Sequence, residues 1–450
     1  MTSERIIRAL EHATDTQEVV IEAGALAQTG ATLVGAFEPR SAQIVADEIT
    51  FGVAGQAVVE SLAAAGVDVA EPLVFPGRPR LYASYDRVAE IVERLSADEA
   101  VPVAVGSGTL NDLVKRAAHE AGKPYMVVAT AASMDGYAAF GASLSKDGHK
   151  QTLACPAPRA IVADLDVVGQ APAAMTASGY GDLLGKVTAG ADWLLADALG
   201  VEPVDALAWE LVQGPLRASI GRPAALAGGD PEAMAALVEG LIMSGVAMQA
   251  YASSRPASGS EHQFSHLWEM EGLGRDLDPP LSHGYKVGLG SIAIAALYER
   301  LLEHDLSALD IDACRDAWPD FDELAGRARA AHPLLGEVAV AQLGAKYVDA
   351  DGLAERLDRL AQTWPSLRER LSDQLLPAAT LRAMLDDAGC PTTPQQIGLD
   401  TDAFKATYQR AQMIRSRYTI LDLAVETGLL EPTVEQLFAP GGYWAALPRP

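Results

Sequence analysis

The segment from residue 101 to residue 168 alternates short apolar runs with helix-like stretches. It contains the apolar VPVAV, a glycine-rich turn, a helical stretch that ends near Lys123, and two further apolar runs, MVVATA and AIVADLDVV. Parallel strands need long crossover connections, and these are usually helices. The alternation therefore predicts a mostly parallel sheet that helices cover on both faces. This feature places the first part of the chain in the α/β class.

The residues before this segment are interpreted as the start of the same layer. After a helix-like N-terminus, residues 31–49 and 67–77 are predicted to form a strand, a turn, a helix and a second strand. Residues 86–100 have the periodicity of an amphipathic helix, which would lead into the strand at residue 101.

The pattern changes near Ala171. From there apolar residues recur with helical periodicity and strand signals disappear. Asp230 and Pro231, for example, are typical of the N-cap and the first position of a helix. We therefore predict an α/β domain at residues 1–168 and an all-helical domain at residues 169–450.

Composition limits the partners of the chain. Its 450 residues, 49% of them hydrophobic and 21% charged, are typical of a globular protein with two substantial cores. The formal charge of −26, from 60 acidic and 34 basic residues, would repel nucleic acid and anionic membranes. A small anionic substrate stays compatible with this charge, because a metal ion and a few basic residues reverse the local field.

The cysteines and the N-terminus predict a cytoplasmic location. Cys155, Cys314 and Cys390 are odd in number and far apart, which excludes a thiolate zinc site and argues against a disulfide framework. The N-terminus is charged and lacks the apolar segment of a signal peptide. We expect no membrane-spanning segment, because Glu239 interrupts the apolar stretch from residue 237 to residue 250.

Three of the eight histidines lie between residues 258 and 284. His262 and His266 are four residues apart, so on a helix they share one face, and His283 follows a Pro-Pro turn. Imidazole is a common ligand of divalent metals, and a catalytic site usually takes three protein groups. Two histidines one turn apart also occur on ordinary polar helix faces. A metal site here requires a third ligand from elsewhere in the chain.

A glycine-rich turn follows the predicted strand at residue 101. Gly106 and Gly108 lie where a strand passes into a helix, and exposed backbone N–H groups there can bind a phosphate. Such glycines are also common for backbone geometry alone. The end of the next strand carries Thr130, Ser133 and Asp135. Two successive strand ends of this kind are what an open α/β sheet presents to a dinucleotide.

Several longer strings carry a resemblance to a known family. In their order along residues 100 to 425 they are GSGTLNDLVK, VVATAASMDGYA, IVADLDVV, SGYGDLLGKVTAGADW, SRPASGSEHQFSH, the His-Gly pair at 283–284 and IRSRYTILDLA. On these strings the chain resembles the sn-glycerol-1-phosphate dehydrogenases, a branch of the superfamily of iron-containing alcohol dehydrogenases and dehydroquinate synthases.

The resemblance implies a dehydroquinate synthase-like fold, in which a Rossmann-like domain is joined to a helical one and NAD or NADP meets a divalent metal in the cleft between them. The metal would be Zn²⁺, or alternatively Ni²⁺ or Fe²⁺. It also implies that the enzyme interconverts dihydroxyacetone phosphate and sn-glycerol 1-phosphate and forms a homo-oligomer, a dimer or larger.

Residue roles follow from the same resemblance. Asp182, His262 and His283 would be the metal ligands and His266 would face the substrate, so these four form the predicted catalytic group. Asp135 and Asp182 would also contact substrate. The predicted cofactor contacts are Gly106, Ser107, Gly108, Thr109, Leu110, Thr130 and Ser133.

The substrate phosphate requires donors. Arg255, Ser258 and Lys186 are the nearest basic or hydroxyl residues in the matching strings, and we predict Arg255 as a substrate ligand. Other interpretations of the chain are a polyol dehydrogenase acting on an unphosphorylated alcohol, a cyclase similar to dehydroquinate synthase, and an inactive cofactor-binding sensor. Asp182, where the cyclases have Glu, argues against the cyclase.

The chain departs from many relatives at three places. It has Ala139 where many have Ser near the nicotinamide, and Tyr285 where many have Glu after His-Gly. At the predicted end of the first strand, where many relatives have Asp, it has Phe37 followed by Glu38 and Arg40. An acidic residue at this place binds the ribose 2′-hydroxyl, whereas Arg accepts a 2′-phosphate, so we expect a cofactor preference that is not strictly for NAD.

Overall fold

The computed structural model describes residues 4–146 and 149–447, and its first part is built on a parallel sheet. The sheet has the order β1-β9-β6-β5-β2-β3, with β4 also paired to β2, and β7 and β8 form a separate antiparallel hairpin. The strands are β1 (Glu18–Glu22), β2 (Ser41–Asp47), β3 (Asp68–Val69), β4 (Leu73–Phe75), β5 (Val101–Gly106), β6 (Met126–Ala129), β7 (Ala142–Lys146), β8 (His149–Leu153) and β9 (Ala160–Asp164).

Helices cover both faces of this sheet. Val103 and Val105 of β5 pack on one face with Leu33 and Leu62, while Ala104 belongs to the core on the other face. A parallel sheet needs both faces buried, and the apolar runs in the sequence supply this. The helices of this part are α1 (Glu4–Leu10), α2 (Thr29–Phe37), α3 (Glu48–Thr50), α4 (Gln56–Ala64), α5 (Tyr85–Leu95), α6 (Gly108–Glu120) and α7 (Leu165–Val168).

Within the described residues, helices alone follow β9. The predicted class, an α/β part with a parallel sheet followed by a helical part, is thereby confirmed. The division between residues 168 and 169 we keep as a proposal. The helices are α8 (Ala173–Leu184), α9 (Lys186–Ala198), α10 (Ala206–Ile220), α11 (Pro223–Ala227), α12 (Pro231–Tyr251), α13 (Ser260–Met270), α14 (His283–Leu301), α15 (Ile311–Ala317), α16 (Phe321–Ala331), α17 (Gly336–Gly344), α18 (Ala350–Gln374), α19 (Ala378–Asp387), α20 (Thr401–Met413), α21 (Ile420–Glu426) and α22 (Leu430–Phe438).

The predicted order of elements between residues 31 and 49 is wrong. Residues 31–37 belong to helix α2, and the strand is β2, which follows it. The apolar run before Phe37 is too short for its periodicity to separate a strand from a helix. The structure shows helical burial, with Gly30 and Leu33 buried and Val34 exposed. The first strand of the sheet is β1, which the sequence interpretation missed.

Helix α12 is the core helix that the sequence predicts after Asp230, but its apolar stretch is longer than expected. It has 21 residues, and by length and composition it could cross a membrane. However, 78% of its most apolar window is buried inside the fold, which is typical of a core helix. Glu239 therefore does not end the apolar stretch, contrary to the sequence interpretation, and α12 forms part of the main hydrophobic core.

Helices α8 and α14 approach each other at backbone distance. A methyl group added at Gly284 would lie 1.7 Å from the carbonyl oxygen of Ser178, and one added at Gly181 would lie 2.4 Å from the carbonyl oxygen of Gly284. Only glycine leaves room for this contact. It brings the first residue of α14, His283, next to the last turn of α8, which carries Asp182.

We expect Gly284→Ala to destabilise the protein by about 1–3 kcal/mol or more, because the added methyl group must displace backbone atoms. The matched control is Gly326→Ala in α16, where an added methyl group meets no atom within 4 Å. That change should be neutral or stabilise the helix by up to about 1 kcal/mol. Urea unfolding of the two variants checks this, and equal midpoints for both would contradict it.

Candidate metal and cofactor site

Asp182 lies in the last turn of α8 and is fully buried. Its Oδ1 accepts a hydrogen bond from Lys186 Nζ at 2.7 Å, and its Oδ2 accepts one from the Asp135 backbone N–H at 3.0 Å. Burial would raise the pKa of Asp182, but Lys186 and the nearby imidazoles outweigh burial and hold this pKa well below its usual range. The side chain is therefore a carboxylate.

His262 lies in the first turn of α13. Its Nδ1 is 2.7 Å from Glu261 Oε1, and Glu261 is itself held by the Thr188 hydroxyl at 2.8 Å and by the Gly259 N–H at 2.6 Å. Because the carboxylate only accepts, Nδ1 carries a proton, and in the neutral ring that binds a metal Nε2 keeps its lone pair. Nε2 lies 3.5 Å from Asp182 Oδ1.

His283 is the first residue of α14 and has a similar environment. Its Nδ1 is 2.9 Å from Glu269 Oε1 and 3.2 Å from Ser265 Oγ. Histidine ligands of metals usually donate their second N–H to a carboxylate in this way, which sets the tautomer and the ring orientation. The sequence interpretation missed both of these carboxylates.

The three predicted ligands converge. Asp182, His262 and His283 each offer one ligand atom, and these atoms lie within 4.8 Å of one another. Two ligands of one tetrahedral ion are about 3.4 Å apart when each bond is about 2.1 Å, which agrees with the 3.5 Å between His262 and Asp182. One carboxylate and two imidazoles suit a divalent ion such as Zn²⁺ or Fe²⁺. The donor set therefore fits a catalytic metal.

His266 lies beside this group without belonging to it. Its ring centroid is 5.8 Å from that of His262 and 6.0 Å from that of His283. Its Nδ1 accepts from Arg415, with Nε at 3.1 Å and Nη2 at 2.8 Å. Burial and the Arg415 charge hold the pKa of His266 well below its usual value. Arg415 lies in the string IRSRYTILDLA, but no spacing in the sequence indicates this contact.

Lys186 contacts two carboxylates of the site, whereas the sequence suggested it as a donor to the substrate phosphate. It is fully buried, with Nζ 2.7 Å from Asp182 Oδ1 and 2.9 Å from Asp135 Oδ2. Asp135 Oδ2 also accepts from the Ser244 hydroxyl at 2.8 Å. Burial would lower the pKa of Lys186, but the two carboxylates outweigh it and raise this pKa above its usual value. The ammonium group holds two site carboxylates together, so we withdraw it as a phosphate donor.

Arg255 is also committed to internal contacts. It is fully buried, and its Nη1 and Nη2 donate to the backbone carbonyls of Tyr418 at 3.1 Å and Asp192 at 2.6 Å. Ser258 is buried, and its carbonyl accepts from Arg417 at 2.6 Å. These contacts join segments of the protein. The contacts favour a structural role for Arg255 over the predicted role as a substrate ligand.

The predicted cofactor turn lies between the end of a strand and the beginning of a helix. Strand β5 ends at Gly106, Ser107 follows at the N-cap position, and α6 begins at Gly108. Gly108 packs so closely on Met134 that an added methyl group would lie 2.7 Å from its Cε. The N-terminus of a 13-residue helix faces the edge of the sheet, with Thr109 and Leu110 in its first turn.

The chain order places this turn at a topological switch point. After β2 the chain passes to β3 and β4 on one side of the sheet, and after β5 it passes to β6 and β9 on the other side. Ligands of open α/β sheets bind outside the carboxyl ends of the strands at such a point. Thr130 lies there too, and its N–H donates to the Gly106 carbonyl at 3.1 Å.

Asp47 corrects the expectation that the strand end lacks an acidic residue. Phe37 ends helix α2 and is not at a strand end, whereas Asp47 is the last residue of β2, next to the glycine turn. The acidic residue is therefore present at the switch point. It also caps α3 by accepting the Thr50 N–H. The prediction that the acidic residue is missing is wrong, because residues 29–37 form a helix and the strand that follows it ends at Asp47.

A buried lysine supports the loop beyond Thr130. Lys115 Nζ donates to the carbonyls of Gly136, Ala139 and Gly141 at 2.8, 2.8 and 3.1 Å. Ala139 thus lies in a loop whose backbone carbonyls are bound by the Lys115 ammonium group. Lys115 ends the string GSGTLNDLVK, but the sequence does not indicate these contacts. Tyr285, the other departure, lies half-buried in the first turn of α14, where its N–H donates to Ser282.

Comparison with known proteins gives a consistent result. The family model described as iron-containing alcohol dehydrogenase matches residues 20–172. A glycerol-1-phosphate dehydrogenase (NAD(P)+) of Bacillus velezensis is 30% identical over 391 residues, which cover 86% of this chain and 86% of that protein. A protein of the same name from Halalkalibacterium halodurans is 39% identical over 257 residues, 57% of this chain and 64% of that protein.

Solved structures show the same fold. The glycerol dehydrogenase of Schizosaccharomyces pombe superposes with a TM-score of 0.61 at 17% identity, covering 97% of this chain and 93% of that one. The NADH-dependent butanol dehydrogenase A of Thermotoga maritima has a TM-score of 0.56 at 14% identity, covering 91% and 92%. At these identities the likeness concerns the fold alone.

We expect Asp47→Asn to shift cofactor preference toward NADPH. Asn keeps the N-cap of α3, so the change removes only the charge that repels a 2′-phosphate and binds a 2′-hydroxyl. A lost hydrogen bond to a charged group is worth about 1.5–3 kcal/mol, so the ratio of kcat/KM for NADH over NADPH should fall roughly tenfold or more. Steady-state kinetics with both cofactors measures this ratio.

The matched control is Glu38→Gln, which removes a carboxylate from the exposed end of α2. It should leave the cofactor ratio unchanged. An unchanged ratio for Asp47→Asn, or a shift of equal size in both variants, would contradict the assignment of Asp47.

Proposed function

The chain belongs to the family of glycerol-1-phosphate dehydrogenases, and on that premise we propose that it interconverts dihydroxyacetone phosphate and sn-glycerol 1-phosphate with NAD or NADP and a divalent metal. The observation that carries the proposal is the convergence of Asp182, His262 and His283 within 4.8 Å. This donor group is joined through Asp135 to the loop that follows strand β6 at the edge of the sheet.

The site residues have distinct tasks in this proposal. Asp182, His262 and His283 would hold the metal, which when bound supplies a Lewis acid for the oxygen on C2. The nicotinamide supplies hydride transfer to or from C2. The glycine turn and the N-terminus of α6 would bind the pyrophosphate and so set the position of the cofactor. Thr130 and Ser133 would line the same edge of the sheet.

Asp135 and Lys186 hold the Asp182 carboxylate in a fixed position. The Asp135 backbone N–H holds one oxygen of Asp182 and the Lys186 ammonium holds the other. A carboxylate fixed in this way keeps its orientation when a substrate arrives. We also keep Asp135 as a substrate contact, since it extends from the loop after β6 toward the same group.

The location and the assembly of the enzyme belong to the same proposal. The three cysteines are free thiols, which agrees with the reducing cytoplasm. We propose a homo-oligomer of two or more chains that acts on a small phosphorylated substrate. Light scattering of the purified protein would measure the number of chains.

Chelation should abolish turnover while the helical circular dichroism stays largely intact, because the fold has an ample apolar core without the metal. Re-added Zn²⁺ should restore the rate. His262→Ala should lose the metal, whereas His266→Ala should keep the metal and lose rate. As a control, His119→Ala changes an exposed residue in the last turn of α6 and should keep both.

Metal analysis of the purified variants decides the roles of the histidines. A metal-replete His262→Ala protein would contradict the proposed ligand set, as would a metal-free His266→Ala protein.

The revised role of Arg255 makes a separate prediction. Arg255→Ala removes one donor from each of two buried carbonyls and the partner of Glu202, at a total cost of about 1–3 kcal/mol. The unfolding midpoint should fall, and the rates with dihydroxyacetone phosphate and with dihydroxyacetone should change by the same factor. If KM rose for the phosphorylated ketone alone, Arg255 would be a phosphate ligand after all. Activity with dihydroxyacetone that matches or exceeds activity with its phosphate would indicate a polyol dehydrogenase instead.

A further inference from the structure

The contact between Arg415 and His266 determines which ring nitrogen of His266 carries its proton. The guanidinium group donates to Nδ1 from both Nε, at 3.1 Å, and Nη2, at 2.8 Å. A guanidinium group has five N–H donors and no acceptor, and it stays protonated in proteins. Nδ1 must therefore be the acceptor, with its lone pair free of a proton. The neutral ring then carries its proton on Nε2.

We propose that Arg415 is a positioning residue that fixes His266 as the Nε2–H tautomer, so that His266 acts on the substrate as a hydrogen-bond donor and not as a base. The part of this inference that concerns the substrate rests on the proposed function. The part that concerns the tautomer rests on the contact alone.

The contact is built into the fold. Arg415 lies in the segment between α20 and α21, and Gln342 binds the N–H of Ser416 at 2.8 Å. Arg417 donates to the carbonyl of Ser258, just before α13, and Arg255 donates to the carbonyl of Tyr418. The segment that carries Arg415 is thus tied on both sides to the stretch that leads into the histidine helix.

The same contact opposes the use of His266 as a base. An imidazolium ring would direct an Nδ1–H at two guanidinium N–H groups, which places donors against donors. By contrast, Nε2–H can donate to a substrate oxygen in both directions of the reaction. In the reduction, C2 gains a hydride and its oxygen gains a proton. In this proposal that proton comes from water, because the Nε2 proton has no replacement on the Arg415 side.

Two isosteric variants separate a donor from a base. In His266→Gln the amide nitrogen reaches close to the place of Nε2, so a donor is kept. In His266→Asn the amide reaches only to the place of Nδ1, so no donor faces the substrate. We expect kcat of the Gln variant to stay within about tenfold of the wild type and kcat of the Asn variant to fall about 100-fold. Equal losses of about 100-fold or more in both, as expected for a lost base, would overturn the proposal.

The tautomer can be measured without substrate. In the zinc-loaded enzyme with ¹⁵N-labelled histidine, two-bond ¹⁵N–¹H correlation spectra distinguish the Nε2–H tautomer, the Nδ1–H tautomer and the imidazolium ring. The resonances that disappear in His266→Gln belong to His266. We expect them to have the Nε2–H pattern, and in Arg415→Met we expect a shift toward a mixture of tautomers. An Nδ1–H or imidazolium pattern in the wild type would overturn the proposal, whichever substrate the enzyme uses.

Arg415→Lys adds a kinetic control. Lysine keeps the positive charge and can donate to Nδ1, so kcat should recover at least partly relative to Arg415→Met, with KM for the ketone changed less than kcat. A loss that is equal in the two variants and that lies in KM alone would show that Arg415 binds substrate directly. Should Arg415→Met fail to fold, the wild-type spectrum still decides the tautomer.

Discussion

The site depends above all on one buried ammonium group. Lys186 is fully buried and lies between Asp182 and Asp135, 2.7 and 2.9 Å from their oxygens. A charge in this position would be very costly without partners, and its removal would leave two carboxylates to repel each other in a medium of low dielectric constant. Because Asp135 comes from the loop after β6 and Asp182 from α8, this ion pair also holds the sheet edge and the helical part together at the site.

The histidines depend on a second set of charges. Glu261 and Glu269 accept from Nδ1 of His262 and His283, so that Nε2 of each ring is left for a metal. Arg415 is positively charged. It donates to Nδ1 of His266, so this nitrogen stays unprotonated. Three neighbouring imidazoles thus have their tautomers set by what faces Nδ1: carboxylates make two of them metal ligands, and a guanidinium makes the third a donor.

Sequence patterns predicted those features that depend on local periodicity. The alternation after residue 101 is enough for the parallel sheet, and the spacing of four between His262 and His266 is enough for a shared helix face. The patterns could not assign α2, because a short apolar run fits both a helix and a strand. With α2 interpreted as a strand, the strand end was placed at Phe37, whereas the strand ends at the acidic residue Asp47. They also did not show that Arg255 and Lys186 are buried, because nothing local distinguishes a basic residue that binds a ligand from one that is held by internal contacts.

The convergence of the three ligands itself follows from helix packing that the glycines of α14 allow. Gly284 lets α14 approach α8 at backbone distance, and a methyl group added at Gly290 would lie 2.7 Å from the carbonyl oxygen of Glu261 in α13. One helix thus contacts the Asp182 helix on one side and the His262 helix on the other, and it begins with His283. Larger residues on α14 would move these helices apart by the width of a side chain, whereas two ligands of one ion must lie about 3.4 Å apart. The close packing is therefore a condition for metal binding, although none of these glycines is itself a predicted ligand.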